Sequence, residues 1–317
     1  MTGYGSIDIS VANLWHSYCE YQKGKKRTYE FHDFTYNLEA ELFTLHDDLA
    51  DRSYQPGKYR YFEVTDNKKR TISVAPLRDK IVHRLIYDYL VKIYDKTFIY
   101  DAWSCRKGKG LHKAIARAQY FLMKYSDCNV WRCDVKKFFD SVSHKILLEI
   151  IKFRIKDTVS LALIEKNIKS YDLGNGRGMP IGNLTSQIFA NIYLNEFDRY
   201  IKHGLKPLAY LRYGDDFIIL ARNREKLETL RLLAIKFLEN KLCLRTNFKN
   251  DIIIKARWGL YFLGSVIYPS DLVLSLRNKK RIVEKLNLRN VASYYGIIKH
   301  FNYGDLVKYN WQVIELL

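Results

Sequence analysis

Apolar positions recur at helical spacing at Leu38, Leu42, Phe43, Leu45 and Leu49, predicting a helix over residues 34–49. It stops before the turn Tyr54-Gln55-Pro56-Gly57. Residues 59–64 and 70–74 instead alternate about the polar tip Asp66-Asn67-Lys68-Lys69, the period of two strands. Pro76 then opens a long helix with Ile81, Val82, Leu85, Ile86, Tyr89 and Leu90 at helical spacing. Past the loop Arg106-Lys107-Gly108-Lys109-Gly110, another helix runs to about Tyr125. Residues 129–134 read as a buried strand, followed by a turn and a helix bearing Ile146, Leu147, Ile150 and Ile151. A glycine-rich link, Gly174-Asn175-Gly176-Arg177-Gly178, precedes a helix with Leu184, Ile188 and Ile192 on one line.

Two further apolar strand-like runs, residues 208–212 and 217–220, flank Tyr213-Gly214-Asp215-Asp216. A helix over 224–240, a strand pair around 244–254 and 261–267, and a helical, basic stretch over the last fifty or so residues complete the pattern. There is no internal repeat and no low-complexity segment. Helices on one side of a mostly antiparallel sheet make this an α+β chain.

Charge narrows the function. Fifty-three Lys and Arg against 34 Asp and Glu leave a formal charge of +19 over 317 residues, and the basic positions are spread throughout. Such a chain meets a polyanion, nucleic acid first, and a lined groove suits the distribution better than a basic tail. The apolar runs fall short of the roughly 18 residues of a membrane span, and no signal-peptide pattern opens the chain, so no membrane partner and a cytoplasmic location are expected. Five cysteines without a Cys-x-x-Cys pair read as reduced residues rather than disulfides or zinc ligands, with Cys133 as a buried thiol.

The candidate chemistry is acidic. Adjacent Asp215 and Asp216 at a hairpin tip repel each other, and a plain turn favours Asn-Gly or Asp-Gly. Divalent cations for phosphoryl transfer need such crowding, whereas the bland alternative is a solvated tip. Asp134, at the end of the strand Val130-Trp131-Arg132-Cys133, can project toward a neighbouring tip, or else act as a turn or cap residue. Three carboxylates on two strands suit two metal ions about 3.5–4 Å apart.

The stretch Cys133-Asp134-Val135-Lys136-Lys137-Phe138-Phe139-Asp140 resembles the first palm motif of reverse transcriptases, and Tyr213-Gly214-Asp215-Asp216 resembles their Tyr-x-Asp-Asp motif. Between them, Gly178-Met179-Pro180-Ile181-Gly182-Asn183-Leu184-Thr185-Ser186-Gln187 is similar to the motif backing the templating base pair, and Phe262-Leu263-Gly264 to the primer grip. All stand in the family's order. The resemblance implies a right-hand polymerase with an antiparallel palm sheet backed by helices. It places an N-terminal extension and fingers at 1–128, a palm at 129–265 with a finger-side insertion at about 150–178, and a basic helical thumb at 266–317.

It also implies roles. Asp134, Asp215 and Asp216 are catalytic, and with Val135 they hold two Mg²⁺ (or Mn²⁺). Lys69 and Arg70 clasp the triphosphate of a dNTP, with Lys68 competing for the first position; Arg suits bidentate phosphate contact and Lys acts as a point charge. Phe139 is the steric gate under the sugar and Phe138 the core residue, the reverse assignment staying open. Lys249 donates to the leaving group, while Ile181 and Gln187 back the nascent pair. Arg106 and Lys107 grip template, Tyr213, Phe262, Leu263 and Gly264 face the primer, and Lys279, Lys280 and Arg281 follow the duplex backbone.

Within the family, aliphatic Ile181 and the pair Ser186-Gln187 stand where most bacterial enzymes have Pro-Gln-Gly and Ser-Pro, and so resemble the reverse transcriptases of diversity-generating retroelements. Asn13-Leu14-Trp15, the run Lys23-Gly24-Lys25-Lys26-Arg27 and Ala292-Ser293-Tyr294-Tyr295-Gly296 agree, while Gly214 departs from the more usual Met or Ala. An aliphatic Ile181 contributes shape without hydrogen bonding, which predicts error-prone copying at template adenines. The resemblance implies a bacterial, archaeal or phage protein that binds a template-repeat RNA, an RNA/cDNA duplex and a small basic oligomeric accessory protein. The alternatives are a group II intron-like or retron-like enzyme with another template, and a non-catalytic RNA-binding scaffold.

Overall fold

The computed structural model describes residues 5–25, 28–65 and 69–316. Lys26 and Arg27 of the lead-in run, and Asp66, Asn67 and Lys68 at the first hairpin tip, lie outside the described residues. In chain order the elements are α1 (Val11–Gln22), α2 (Tyr29–Tyr36), α3 (Leu38–Ala50), β1 (Arg60–Thr65), β2 (Lys69–Val74), α4 (Leu77–Tyr94), α5 (Leu111–Lys124), β3 (Asn129–Asp134), α6 (Phe138–Ser141), α7 (His144–Arg154) and α8 (Thr158–Lys169). They continue with α9 (Leu184–Arg199), β4 (Ala209–Tyr213), β5 (Asp216–Ala221), α10 (Arg224–Leu242), β6 (Ile252–Lys255), β7 (Leu260–Phe262), β8 (Ser265–Ile267), β9 (Leu272–Leu274), α11 (Leu276–Lys285), α12 (Val291–Ile298) and α13 (Tyr303–Ile314).

The chain divides into two compact units. One takes the chain up to Phe98, Lys137–Glu196 and Asn240–Leu244; the other takes Ile99–Lys136, Phe197–Glu239 and Arg245–Leu317. In the first, α4 is the spine, burying Ile81, Val82, Leu85, Ile86 and Leu90. Tyr54 donates to Asp79 Oδ1 at 2.7 Å and the Gly57 amide to Oδ2 at 2.8 Å, tying the preceding turn to α4. Helix α1 starts where the Ser10 side chain accepts from the Asn13 amide, and it buries Leu14 and Tyr18. The β1–β2 hairpin pairs Arg60 with Val74 through Thr65 with Lys69, and every residue of β1 is exposed.

The helix expected over residues 34–49 is two. Helix α2 ends at Tyr36 and Asn37 separates it from α3; asparagine favours local hydrogen bonds over a helix interior, and here its amide and side chain both donate to the Asp33 carbonyl. Phe43, counted in the apolar stripe, is 51% exposed.

The second unit is built on a four-stranded antiparallel sheet of order β4-β5-β3-β6. Strand alternation sorts its side chains onto two faces. Trp131, Cys133, Phe217, Ile219, Tyr210 and Arg212 share one face, where the Phe217 ring meets Trp131 at 5.2 Å and Phe197 at 5.1 Å. On the other face, Val130, Leu211, Ile218 and Leu220 join Ala114, Ile115, Ala118 and Leu122 of α5 in one core cluster. Leu260, Phe262 and Ile267 of a second, three-stranded sheet, β7-β8-β9, complete that cluster.

The expected pairing of residues 244–254 with 261–267 is not formed. Residues Phe248–Asn250 are a 3-10 turn, and β6 instead extends the central sheet, with Ile254 opposite Val130 and Ile252 opposite Arg132. Three consecutive isoleucines gain more from a buried partner strand than from a local hairpin. The C-terminal helices close their own small core of Leu274, Ile282, Ile298 and Tyr309.

Candidate active site

Register brings two of the three predicted carboxylates opposite each other. Asp134 is directly opposite Asp216, which is also paired with Tyr213 across a two-residue turn made of Gly214 and Asp215. Directly opposed residues on antiparallel strands have Cβ atoms about 4.5–5.5 Å apart, so the two carboxylates share one edge of the sheet. Gly214 has φ +63° and Asp215 is not left-handed, fitting the hairpin turn in which glycine takes the first central position.

That tip is braced from below by residues sequence reasoning missed. Arg212, 1% exposed, donates from Nε to Asp198 Oδ1 at 2.7 Å and from its second amine to Oδ2 at 2.6 Å. Its remaining amine donates to the Gly214 carbonyl at 2.8 Å, and Tyr210 donates to the same Asp198 Oδ1 at 2.6 Å. Burial works against the guanidinium, but the charge and hydrogen bonds of Asp198 outweigh it and hold Arg212 more firmly protonated than usual. Burial, then Asp198, pushes the Tyr210 phenol far up. The only local signal was a lone arginine in an apolar strand.

Asp134 is fixed from the other edge. Its Oδ2 accepts from Asn250 at 2.9 Å and Asn247 at 3.4 Å, and its carbonyl accepts from the Asn247 amide at 2.9 Å. Its Oδ1 is buried and, among the described residues, has no hydrogen-bond partner. A buried carboxylate oxygen left unpaired is costly, so this atom calls for a cation or a donor from outside the chain. Arg132, on the same face, reaches Asp216 Oδ1 at 3.3 Å and supplies countercharge. Behind the sheet, Trp131 Nε1 donates to Asp251 Oδ1 at 2.7 Å and Arg231 forks onto the same carboxylate. Cys133 is buried, its thiol pushed up to about 12 chiefly by burial, so it is inert.

Among the described residues no three His, Cys, Asp or Glu side chains converge as a finished metal site. The set nevertheless fits the hard divalent ion the motifs imply: oxygen donors only, with Asp134 Oδ1 buried and, among the described residues, unpaired. Val135 is 3% exposed, so only its backbone can serve such an ion.

The nucleotide-side residues fall mostly in the first unit. Phe138 is buried and Phe139 half-buried, their rings 5.5 Å apart. The Phe139 carbonyl accepts from the Met179 amide at 2.8 Å, and the Ile181 carbonyl from the Ser73 amide at 3.1 Å. This joins Phe139, the 179–182 segment and the base of β2. A Cβ on Gly182, whose φ is +106°, would stand 3.0 Å from Ile72, so glycine permits that approach. Ile181 is half-buried and Gln187 exposed; Lys69 pairs with Glu63 at 2.8 Å and Arg70 is exposed. In the second unit, Lys249 is exposed on the turn whose neighbours Asn247 and Asn250 hold Asp134.

Three of the residues expected to face template or primer are engaged by the chain itself. Phe262 is wholly buried in the core, leaving Leu263 and Gly264 to present the turn; both have positive φ, +51° and +78°. Arg106 donates to the carbonyls of Ile99 and Ala102 at 2.9 and 3.1 Å, so it braces its own loop while Lys107 is exposed. Lys279 is held by buried Asp305 at 2.6 Å, whereas Lys280 is exposed and Arg281 half-buried.

The family model described as reverse transcriptase (RNA-dependent DNA polymerase) matches residues 62–249. Protein YkfC of Escherichia coli (strain K12) is 29% identical over 273 residues, covering 72% of this chain and 71% of its own length. The group II intron-encoded protein LtrA of Lactococcus lactis subsp. cremoris is 27% identical over 304 residues, covering 71% of this chain and 49% of its own. A Candida albicans telomerase, solved with a fragment of telomeric RNA, aligns with TM-score 0.51 at 12% identity over 88% of this chain, showing a shared polymerase fold. The chain spans about half the length of LtrA and 58% of that telomerase chain. With the Tyr213-Gly214-Asp215-Asp216 turn set against Asp134 and the family model covering most of both units, this chain belongs to the reverse transcriptase family of RNA-directed DNA polymerases.

Proposed function

We propose that the chain extends a primer with deoxynucleotides on an RNA template, using Asp134, Asp215 and Asp216 as its catalytic carboxylates. The observation that carries this reading is the buried, unpaired Asp134 Oδ1 on the strand register that opposes Asp216. Divalent metal held by these aspartates and the Val135 carbonyl would supply Lewis-acid activation of the primer hydroxyl and neutralise charge on the triphosphate. Lys69 and Arg70 bind the triphosphate, Phe139 excludes a ribose 2′-hydroxyl, and Lys249 places positive charge toward the leaving group. Leu263, Gly264 and Tyr213 meet the primer end, while Lys107, Lys280 and Arg281 contact phosphates.

The finer reading is a diversity-generating enzyme that copies a template-repeat RNA with errors at adenines, alongside a small basic accessory protein. Ile181 supports it: half-buried, its carbonyl already spent on Ser73, it offers the nascent pair only an aliphatic surface. A group II intron-like role is the second reading, favoured by the match to LtrA. Sequencing cDNA made by wild type and Ile181→Gln on one RNA separates them. The first reading expects excess errors at template adenines that fall in the variant; equal, low adenine error in both removes it.

A further inference from the structure

The chain's charge is unevenly placed. Within a protein of net charge +19, residues 28–51 contain seven acids (Glu30, Asp33, Glu39, Glu41, Asp47, Asp48 and Asp51) and no Lys or Arg. Glu30 and Asp48 are neutralised inside the unit by Arg60 and Arg78. Among the described residues the other five make no ion pair. Asp47 lies in the last turn of α3 and Asp51 caps its C-terminus, where the helix dipole disfavours negative charge and the turn itself holds no Lys or Arg. Glu39 and Glu41 lie in the first turn of α3, where the dipole favours them, so local helix stability leaves only Asp47 and Asp51 at its other end unexplained.

Beside them the surface is apolar. A groove of about 540 Å³ runs between α1 and the α2–α3 pair, lined by Trp15, Tyr36, Leu38, Glu39, Leu42 and Phe43. Trp15 is 53% exposed, Tyr36 90% and Phe43 51%, while the ordinary core of these helices is supplied by Leu14, Phe31, Phe34, Leu45 and Leu49. Aromatic side chains of this size left in water together mark an interaction surface. Glu39, Phe43 and Asp47 follow one another at four-residue spacing, so one stripe of α3 alternates acid, ring, acid.

We infer that this groove docks a basic amphipathic helix of a protein partner, its apolar face seated between Trp15, Tyr36 and Phe43 and its Lys or Arg flanks meeting Glu39, Asp47 and the neighbouring acids. Nucleic acid is disfavoured because its phosphates would face uncompensated carboxylates. A helix fits an apolar groove between helices, presenting anchors at three- and four-residue spacing, and the opposite charges set its orientation. The inference rests on the groove and its charge and is independent of which template the polymerase copies.

The test uses the full chain and two labelled synthetic helices of about 18 residues with the same leucine face, one carrying lysine and the other glutamate. Fluorescence anisotropy should show binding of the leucine–lysine helix alone, weakening as salt rises. Trp15→Ala with Phe43→Ala should weaken it at least about tenfold, as for buried aromatic anchors. Glu39→Lys with Asp47→Lys should weaken it similarly and flatten the salt dependence, with primer extension unchanged in both variants. Equal affinity for wild type and the groove variants, or preference for the glutamate helix, would overturn the inference. So would a concentration-dependent dimer of the chain that Phe43→Glu abolishes, which would assign the groove to a second copy.

Discussion

Two hairpins carry the charges of opposite sign to which the proposed function gives metal and triphosphate, and they are built in opposite ways. The β4–β5 hairpin is buried along both strands up to its tip and is clamped by the Arg212–Asp198 pair, at 1% and 0% side-chain exposure. The β1–β2 hairpin is exposed throughout β1, and Lys69 pairs, among the described residues, with Glu63 on the surface, at 67% and 56% exposure. Carboxylates that repel must be held by structure made before any ligand arrives. Basic residues that close on a triphosphate need reach, and a surface ion pair releases them at little cost. The acidic hairpin is preorganised; the basic one is adjustable.

The largest effect should come from the acidic side. Asp134→Asn keeps the shape and the side-chain contact with Asn250 through a flipped amide, but removes the charge. Primer extension should fall on the order of a thousandfold, the equivalent of several kcal/mol of lost charge stabilisation, while thermal unfolding shifts little. A variant retaining near-normal extension would remove Asp134 from the catalytic set.

Next comes the clamp. Arg212→Met leaves Asp198 charged and buried with Tyr210 as its remaining partner, and should cost about 3–5 kcal/mol in urea unfolding. Adding Asp198→Leu should recover much of that loss, because the uncompensated charge is then gone. Extension should stay low in the double variant, since the Gly214 carbonyl has lost its donor. Full recovery of activity with stability would mean that the clamp holds the fold and not the tip.

The contrast also explains what could be read in advance. The strand runs at 129–134 and 217–220 and the acidic turn were legible because apolar runs and turn residues are local signals, whereas their register was not. The brackets on Asp134 were not: Asn247 and Asn250 act across 113 and 116 residues of chain, and an asparagine in a loop carries no mark of its distant partner. Asp198 likewise sits in a helix pattern until Arg212 is brought beneath it. Strand β6 was misassigned because pattern gives a strand's existence but not which edge it joins, and the burial of Phe262 was not foreseen because a motif position does not state which side of a turn is buried. Charge showed a different gap: the whole-chain value of +19 concealed the acidic run at 28–51.

On the basic hairpin, Lys69→Gln and Arg70→Gln should each raise KM for the deoxynucleotide about tenfold, the scale of one charge-assisted hydrogen bond. Stability should stay within error, because both side chains are exposed. A fall in unfolding midpoint with unchanged KM would invert the comparison and make this hairpin structural.

The smallest effect should lie at Gly214. A Cβ there would meet nothing nearer than Ser104 Oγ at 3.9 Å, so space is available and the cost is that of the backbone alone. At φ +63° an L-residue is strained by about 1 kcal/mol relative to glycine. Gly214→Ala should therefore lower stability by that amount in urea unfolding and leave extension within a few fold, because Arg212 still holds the residue's carbonyl. Combined with Arg212→Met, the same substitution should cost more activity than the two losses multiplied, since the strained turn then has no clamp to enforce it. Simple multiplication of the two effects would show that the turn keeps its shape without Arg212, and that the acidic hairpin is no more preorganised than the basic one.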